Sequence, residues 1–236
     1  MSTKSENMVN EQGSFHGVAA FFDVDNTIIN IKSMFSFLDY IGDVCPSYSV
    51  RVNKHKHQLK EYARNQFARE YINRFYYTIL EGMKVSEVTR WGVDWYEKIR
   101  ETDDFFIKKS VLLLQNHQAN NQPVIFVSGS FSVLLDPIAQ EMAVDDVIAT
   151  DLVVVGDCYT GNILGDPTIG LGKYKKMQSY SIKHNIDLTL SYAYADDVSD
   201  LQMLAGVGFP RIVNPSPEIL ELVSIFMRDD VDFQTV

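Results

Sequence analysis

The sequence predicts an α/β protein with a mostly parallel central sheet and an all-helical segment inserted after the first strand. Three observations carry this. The apolar runs Val18–Phe22, Pro123–Val127 and Leu190–Ala195 each lead into acids or hydroxyls, and short unbroken apolar runs suit strands covered on both faces of a parallel sheet. About 100 residues separate the first two runs, far more than a bare strand-to-strand crossover needs. Residues Ser33 to Asp104 carry helical periodicity and no convincing strand.

In chain order, residues 1–16 are polar, without the apolar stretch of a secretory signal, and are expected to form a flexible tail. The first strand follows, within a core segment 17–32. Residues 33–104 are expected to form the helical insert. In it, Leu59–Leu80 reads as part of one long helix, with Tyr62, Phe67, Tyr71 and Phe75 at helical spacing and Arg64, Arg69 and Arg74 on its wet face. A second helix is expected from Ser86, an N-cap residue type, through Trp91, Trp95 and Ile99. The core resumes over 105–236. A helix is expected over Phe105–Asn120, the second strand after it, and a helix over Val133–Met142 that contains Pro137. Val147–Val155 reads as one strand, followed by a hairpin through Gly156-Asp157 to Leu164. Helices are expected at Lys173–His184 and from Leu201, a last strand at Val207–Val213, and a C-terminal helix opening at Pro215–Glu218.

The charge balance is 21 basic against 31 acidic residues, a net of −10. Such a body is a poor binder of nucleic acid or anionic membrane. An anionic substrate must then meet a local cluster of cations, metal or backbone N–H groups. Cys45 and Cys158 make neither a disulfide framework nor a zinc spacing, which fits a cytoplasmic protein. No apolar run approaches the ~18 residues of a membrane-spanning helix. Hydrophobic residues at 46% and charged residues at 22% are ordinary for a globular chain.

The chemistry concentrates where the strands end. Asp23-Val24-Asp25-Asn26-Thr27 follows the first strand. One carboxylate there can attack an electrophile, and its neighbour can give a proton to a leaving oxygen. Acids this close raise one another's pKa, which suits a proton donor near neutral pH. They also attract a hard cation such as Mg²⁺. Asp196-Asp-Val-Ser-Asp200 supplies further carboxylates, Asp196 and Asp200 lying one turn apart if the segment is helical. Ser128-Gly129-Ser130 offers a hydroxyl and backbone N–H groups at a strand-to-helix junction, where anions are naturally received. Lys173, after Gly170-Leu-Gly, is the candidate cation for a transferring phosphoryl group. Taken singly, an acidic turn, a capping cluster or a surface lysine would account for each.

Taken in chain order, Asp23-x-Asp25-x-Thr27, then Ser128, then Lys173, then Asp196-x-x-x-Asp200, the four segments resemble the haloacid dehalogenase (HAD) superfamily, closest to its subfamily I-B, the phosphoserine-phosphatase-like hydrolases. The resemblance runs from Val18 to the C-terminal helix and includes Ile148-Ala-Thr-Asp151, Thr160-Gly161 and Val213-Asn-Pro215. It implies a Rossmann-like HAD core with a C1-type helical cap, and an Mg²⁺-dependent phosphatase acting on a small-molecule phosphomonoester. It implies Asp23 as the nucleophile that becomes aspartyl-phosphate, and Asp25 as the acid and base. Ser128, Gly129 and Lys173 would hold the phosphoryl oxygens. Mg²⁺ would be held by Asp23, the Asp25 backbone carbonyl and Asp196, with Asp200 supporting the metal's waters or orienting Lys173. Asp25 points to phosphoryl transfer, because relatives that cleave carbon–halogen bonds lack it. In phosphoserine phosphatases a Glu nine residues after the nucleophile reads the substrate ammonium; here that position is Lys32, which disfavours phosphoserine and favours an anion. A phosphotransferase or mutase of the same fold, and a non-catalytic protein that kept the fold, are the alternatives.

Overall fold

The computed structural model describes residues 17–215, 217–226 and 234–236; the expected N-terminal tail, 1–16, lies outside the described residues. A six-stranded sheet runs in the order β3-β2-β1-β6-β7-β8, and every neighbouring pair is parallel. Its strands are β1 (Ala20–Phe22), β2 (Val124–Val127), β3 (Asp146–Ile148), β6 (Tyr192–Ala195), β7 (Phe209–Ile212) and β8 (Gln234–Thr235). The chain builds outward from β1 to one side through β2 and β3, then crosses over and builds to the other through β6. β1 is therefore the point where strand order reverses, and ligands of open α/β sheets bind beyond the strand ends at such a point.

Both faces of the central strands are covered, as their unbroken apolar character requires. Phe22, Val124, Phe126 and Tyr194 pack into one buried cluster, while Phe21, Ile125, Val127, Ala193 and Ala195 pack into the other. Successive residues point to opposite faces, as the strand's period of two demands. Phe22 stacks on Tyr194 at 4.1 Å between ring centroids. The Tyr194 hydroxyl lies 2.8 Å from His117 Nε2, and His117 Nδ1 lies 2.6 Å from Gln122 Oε1, so an apolar face carries a fully satisfied polar chain.

Between β1 and β2 the chain forms α1 (Ser33–Val44), α2 (Pro46–Arg64), α3 (Arg69–Tyr77), a 3-10 turn (Thr78–Leu80) and α4 (Val85–Ile99), followed by α5 (Lys108–Ala119) leading into β2. Pro46 opens α2 at a position where its missing N–H costs nothing. The long helix expected to carry all three arginines is broken. Arg64 ends α2, Gln66 takes a left-handed conformation (φ 56°), and Arg69 and Arg74 lie on α3. α4 starts one residue before the expected Ser86 cap. Its N-cap is Lys84, held extended by a bridge to Cys158.

Trp95, fully buried on α4, touches Phe37 and donates from Nε1 to Ser36 Oγ at 3.0 Å. α4 also meets α6 (Ser132–Glu141) at Gly92. Pro137 leaves the Val133 carbonyl without its intrahelical N–H partner, and that carbonyl faces Gly92. A Cβ on residue 92 would lie 2.8 Å from it and 2.3 Å from Val133 Cγ1.

The expected strand Val147–Val155 is two strands in different sheets. β3 ends at Ile148, and β4 (Leu152–Val155) pairs antiparallel with β5 (Cys158–Ile163) in a separate hairpin. The apolar run hides the break because it lies in backbone bonding. The Thr150 N–H goes to Ser130 O at 2.9 Å, and Ala149 O accepts from Thr168 Oγ1 at 2.6 Å and Lys176 Nζ at 2.7 Å, so the ladder ends there. The hairpin packs beneath the insert: Gly82 N donates to Tyr159 O, Tyr159 N to Met83 O, and Val85 N to Asp157 O, at 2.9, 2.9 and 2.8 Å. The remaining helices are α7 (Leu171–His184), α8 (Leu201–Leu204) and α9 (Pro217–Phe226).

Candidate active site

The C-terminal ends of β1, β2 and β6 open into one cavity of ≈ 430 Å³, lined by Asp23, Asp25, Lys32, Ser128, Gly129, Lys173, Asp196 and Asp200, all of which the sequence had singled out. Asp23 follows β1 directly, its N–H held by Tyr194 O at 2.9 Å. The chain then turns tightly. The N–H groups of Thr27, Ile28 and Ile29 all reach Val24 O, at 3.2, 2.8 and 3.0 Å, and Asn26 takes φ 61°, which Asn tolerates better than most residues. That turn brings Asp25 back to the side of Asp23.

Lys173 is almost fully buried. Its Nζ lies 2.7 Å from Asp23 Oδ1 and 2.8 Å from Asp200 Oδ1. Burial alone would pull the ammonium's pKa down; Asp200 and Asp23 outweigh it and hold it above the ordinary lysine range. Asp25 accepts the Ser33 N–H at Oδ2 (3.0 Å), while its buried Oδ1 has no hydrogen-bond partner among the described residues. Burial, and next the Asp23 charge, push its pKa up to about 7. Asp196 is raised to about 7 by burial and the neighbouring Asp23, and Asp200 to about 6 by burial against the opposing pull of Lys173.

One carboxylate oxygen from each of Asp23, Asp196 and Asp200 lies within 4.8 Å of the others. Three convergent carboxylates are the donor set a hard cation such as Mg²⁺ takes. The crowded negative charge and the orphaned Asp25 oxygen beside it fit such an ion.

Around this acidic floor the structure brings in further residues, of which Ser33 and Asn73 carry no signal in the sequence. Ser33, the first residue of α1, reaches both Asp25 and, through Oγ, Ser130 Oγ at 3.3 Å. Arg69 pairs with Asp197 across the cavity mouth. Burial acts to raise Asp197, but the Ser199 N–H, Arg69 and Lys32 outweigh it and hold it below the ordinary range. Asn73, Tyr77 and Thr150 all donate to the Gly129 carbonyl, at 3.0, 2.7 and 3.0 Å. No local pattern announces these partners, because 56, 52 and 21 residues of chain separate them from Gly129. The outer cavity wall is apolar, with Met34, Phe35, Leu59, Phe67 and Ile72 from the insert. Among the described residues no helix is long and apolar enough to cross a membrane.

The comparisons with known proteins agree with this arrangement. A histidinol-phosphatase of Neisseria meningitidis is 24% identical, over 85% of this chain and 91% of its own. A protein of Streptomyces azureus named for inhibition of morphological differentiation is 28% identical, over 87% of this chain and 74% of its own. A crystal structure of a Bordetella pertussis protein with unknown function has the same fold, with a TM-score of 0.82 at 23% identity, covering 94% of this chain and 99% of that one. The sequence model of the haloacid dehalogenase-like hydrolases matches residues 20–205. That match runs from β1 to the end of α8 and takes in every strand end that opens into the cavity, and the chain belongs to this family.

Proposed function

We propose that the cavity hydrolyses a small-molecule phosphomonoester in two steps through an aspartyl-phosphate on Asp23. The reaction class, hydrolysis of a phosphoric monoester, is the one its phosphatase relatives share. The geometry that carries the two-step reading is an Asp23 carboxylate held by Lys173 at 2.7 Å beside a buried Asp25 whose Oδ1 has no hydrogen-bond partner among the described residues, and burial shifts the pKa of Asp25 upward, as a proton donor requires. Two acids with environments this different can take the roles of nucleophile and proton donor.

In the first step Asp23 Oδ attacks phosphorus and the bond from phosphorus to the ester oxygen breaks. Asp25, protonated, gives its proton to the departing alkoxide. In the second, Asp25 as carboxylate takes a proton from the attacking water, the acyl-phosphate bond breaks, and phosphate leaves with Asp23 regenerated. Lys173 fixes the Asp23 carboxylate and offsets charge on the phosphoryl oxygens, with Ser128 and the Gly129 backbone as further donors. Mg²⁺ would be held by Asp23, Asp196 and the Asp25 backbone carbonyl, while Asp200, the third convergent carboxylate, has Oδ1 paired with Lys173 and would support the metal's waters; when bound the ion supplies positive charge to the phosphoryl oxygens. The helical insert, residues 33–104, acts as a cap that shields the reacting group from bulk water.

Lys32 at the mouth favours a leaving group with an anionic rather than an ammonium substituent, and the apolar wall favours a carbon-rich body. Two free cysteines, Cys45 and Cys158, are consistent with a reducing, cytoplasmic setting. The test is phosphate release from a phosphomonoester panel that includes phosphoserine, with Mg²⁺ and with chelator. Release only with metal, abolished in Asp23→Asn, is expected. Turnover by a folded Asp23→Asn sample refutes the covalent route, and phosphoserine as the preferred substrate refutes the role of Lys32.

A further inference from the structure

The Gly129 carbonyl is held by three donors, an unusual load for one buried acceptor. Thr150 comes from the core, but Asn73 and Tyr77 both lie on α3 of the insert. All three side chains are buried. Thr150 Oγ1 accepts the Thr168 N–H at 3.1 Å and donates its own proton to the Gly129 carbonyl at 3.0 Å. Burial raises the Tyr77 phenol far above its ordinary pKa, so it stays a neutral donor.

The planar peptide makes this carbonyl inseparable from the Ser130 N–H on its other side. That N–H donates to Ser128 Oγ at 3.2 Å. With one oxygen lone pair filled by that bond, the Ser128 hydroxyl keeps its proton for another acceptor, and Ser128 lines the cavity. Hydrogen bonds in series polarise one another, so donors on the carbonyl also strengthen the N–H and, through it, the hydroxyl as donors.

We infer that Asn73 and Tyr77 are positioning residues. From the insert, they set the Gly129–Ser130 peptide so that Ser128 presents its hydroxyl proton to a phosphoryl oxygen of the substrate. Seating of α3 on the core and readiness of the phosphoryl grip are then one event. This rests on the reading of Ser128 as a phosphoryl donor.

A double-mutant cycle separates the two claims. kcat and KM for para-nitrophenyl phosphate with Mg²⁺ are measured for the wild type, Tyr77→Phe, Ser128→Ala and the double variant, with melting temperatures as the control for folding. Tyr77→Phe removes one hydroxyl and is expected to lower kcat/KM about tenfold. In the Ser128→Ala background the same change is expected to cost less than about twofold, because the group it acts through is gone. If Tyr77→Phe costs the same factor in both backgrounds, or nothing in the wild type, the relay is wrong and the hydroxyl serves packing alone. If Ser128→Ala leaves kcat/KM unchanged, or the wild type releases no phosphate, the underlying reading of Ser128 fails and the inference falls with it. Asn73→Ala in place of Tyr77→Phe runs the same cycle should the latter not fold.

Discussion

Replacing Lys173 by Met keeps most of the side-chain stem and removes the charge. In the native structure Nζ sits 2.7 Å from Asp23 and 2.8 Å from Asp200, with 3% of the side chain exposed. At an effective dielectric of about 20, each contact is worth roughly 6 kcal/mol before desolvation. Stripping water from a buried ammonium cancels much of this, and breaking a buried ion pair costs about 3–5 kcal/mol net. Two carboxylates lose their counter-ion here, with Asp196 as a third acid close by, so the expected loss lies at the upper end of that range. For a chain of this length that lowers the melting temperature by roughly 10 °C or more. The assay is urea unfolding of both proteins in chelator and again in excess Mg²⁺. A second cation among the acids should narrow the gap between the proteins, because it stabilises the more negative variant more. A loss below about 1 kcal/mol in chelator, or a gap that widens with Mg²⁺, refutes the account of Lys173 as the counter-charge of this floor.

Gly92→Ala places a methyl against the Val133 side chain and carbonyl, forcing α4 from α6, and is expected to cost about 1–3 kcal/mol in thermal or denaturant unfolding. His117 makes stability depend on pH, because its folded-state pKa is lowered by burial. Burial holds its pKa below 6.5, so the folded state keeps it neutral and the unfolded state takes up the proton first. Its contribution is present in full above pH 6.5 and is lost as pH falls below that value. His117→Gln should therefore be less stable at pH 7.5, with a deficit that shrinks toward pH 5 in paired unfolding curves; a constant deficit contradicts this.

The sequence located the strand ends and their acids well because two local signals coincided there. An apolar run marks a strand buried on both faces, and a carboxylate or hydroxyl directly after it cannot belong to that core. Asp23, Asp25, Ser128 and Asp196 were legible on this ground, and Lys173 through the order of motifs. The partners of Gly129 were not, since Asn73 and Tyr77 look like any polar and aromatic residues on a packed helix. The split of Val147–Val155 into two strands was invisible for a related reason. Side-chain pattern reports burial, whereas the break lies in which backbone groups Ser130, Thr168 and Lys176 claim. β8 pairs with Arg211 and Ile212 over Gln234 and Thr235, too few residues to show a period.

The backbone bonds between residues 82–85 and the β4–β5 hairpin change where the molecule divides. In the chain the insert is one continuous segment, but in space its edge continues into a piece encoded some seventy residues later. A truncation that excises 33–104 to obtain a minimal catalytic core would strip the hairpin of its hydrogen-bonded neighbour and bare Tyr159, now 7% exposed. An unpaired strand edge beside a newly wet aromatic invites self-association. A shortened protein without that bared edge has to lose Leu152–Ile163 along with the helices, leaving two excisions where the sequence suggests one.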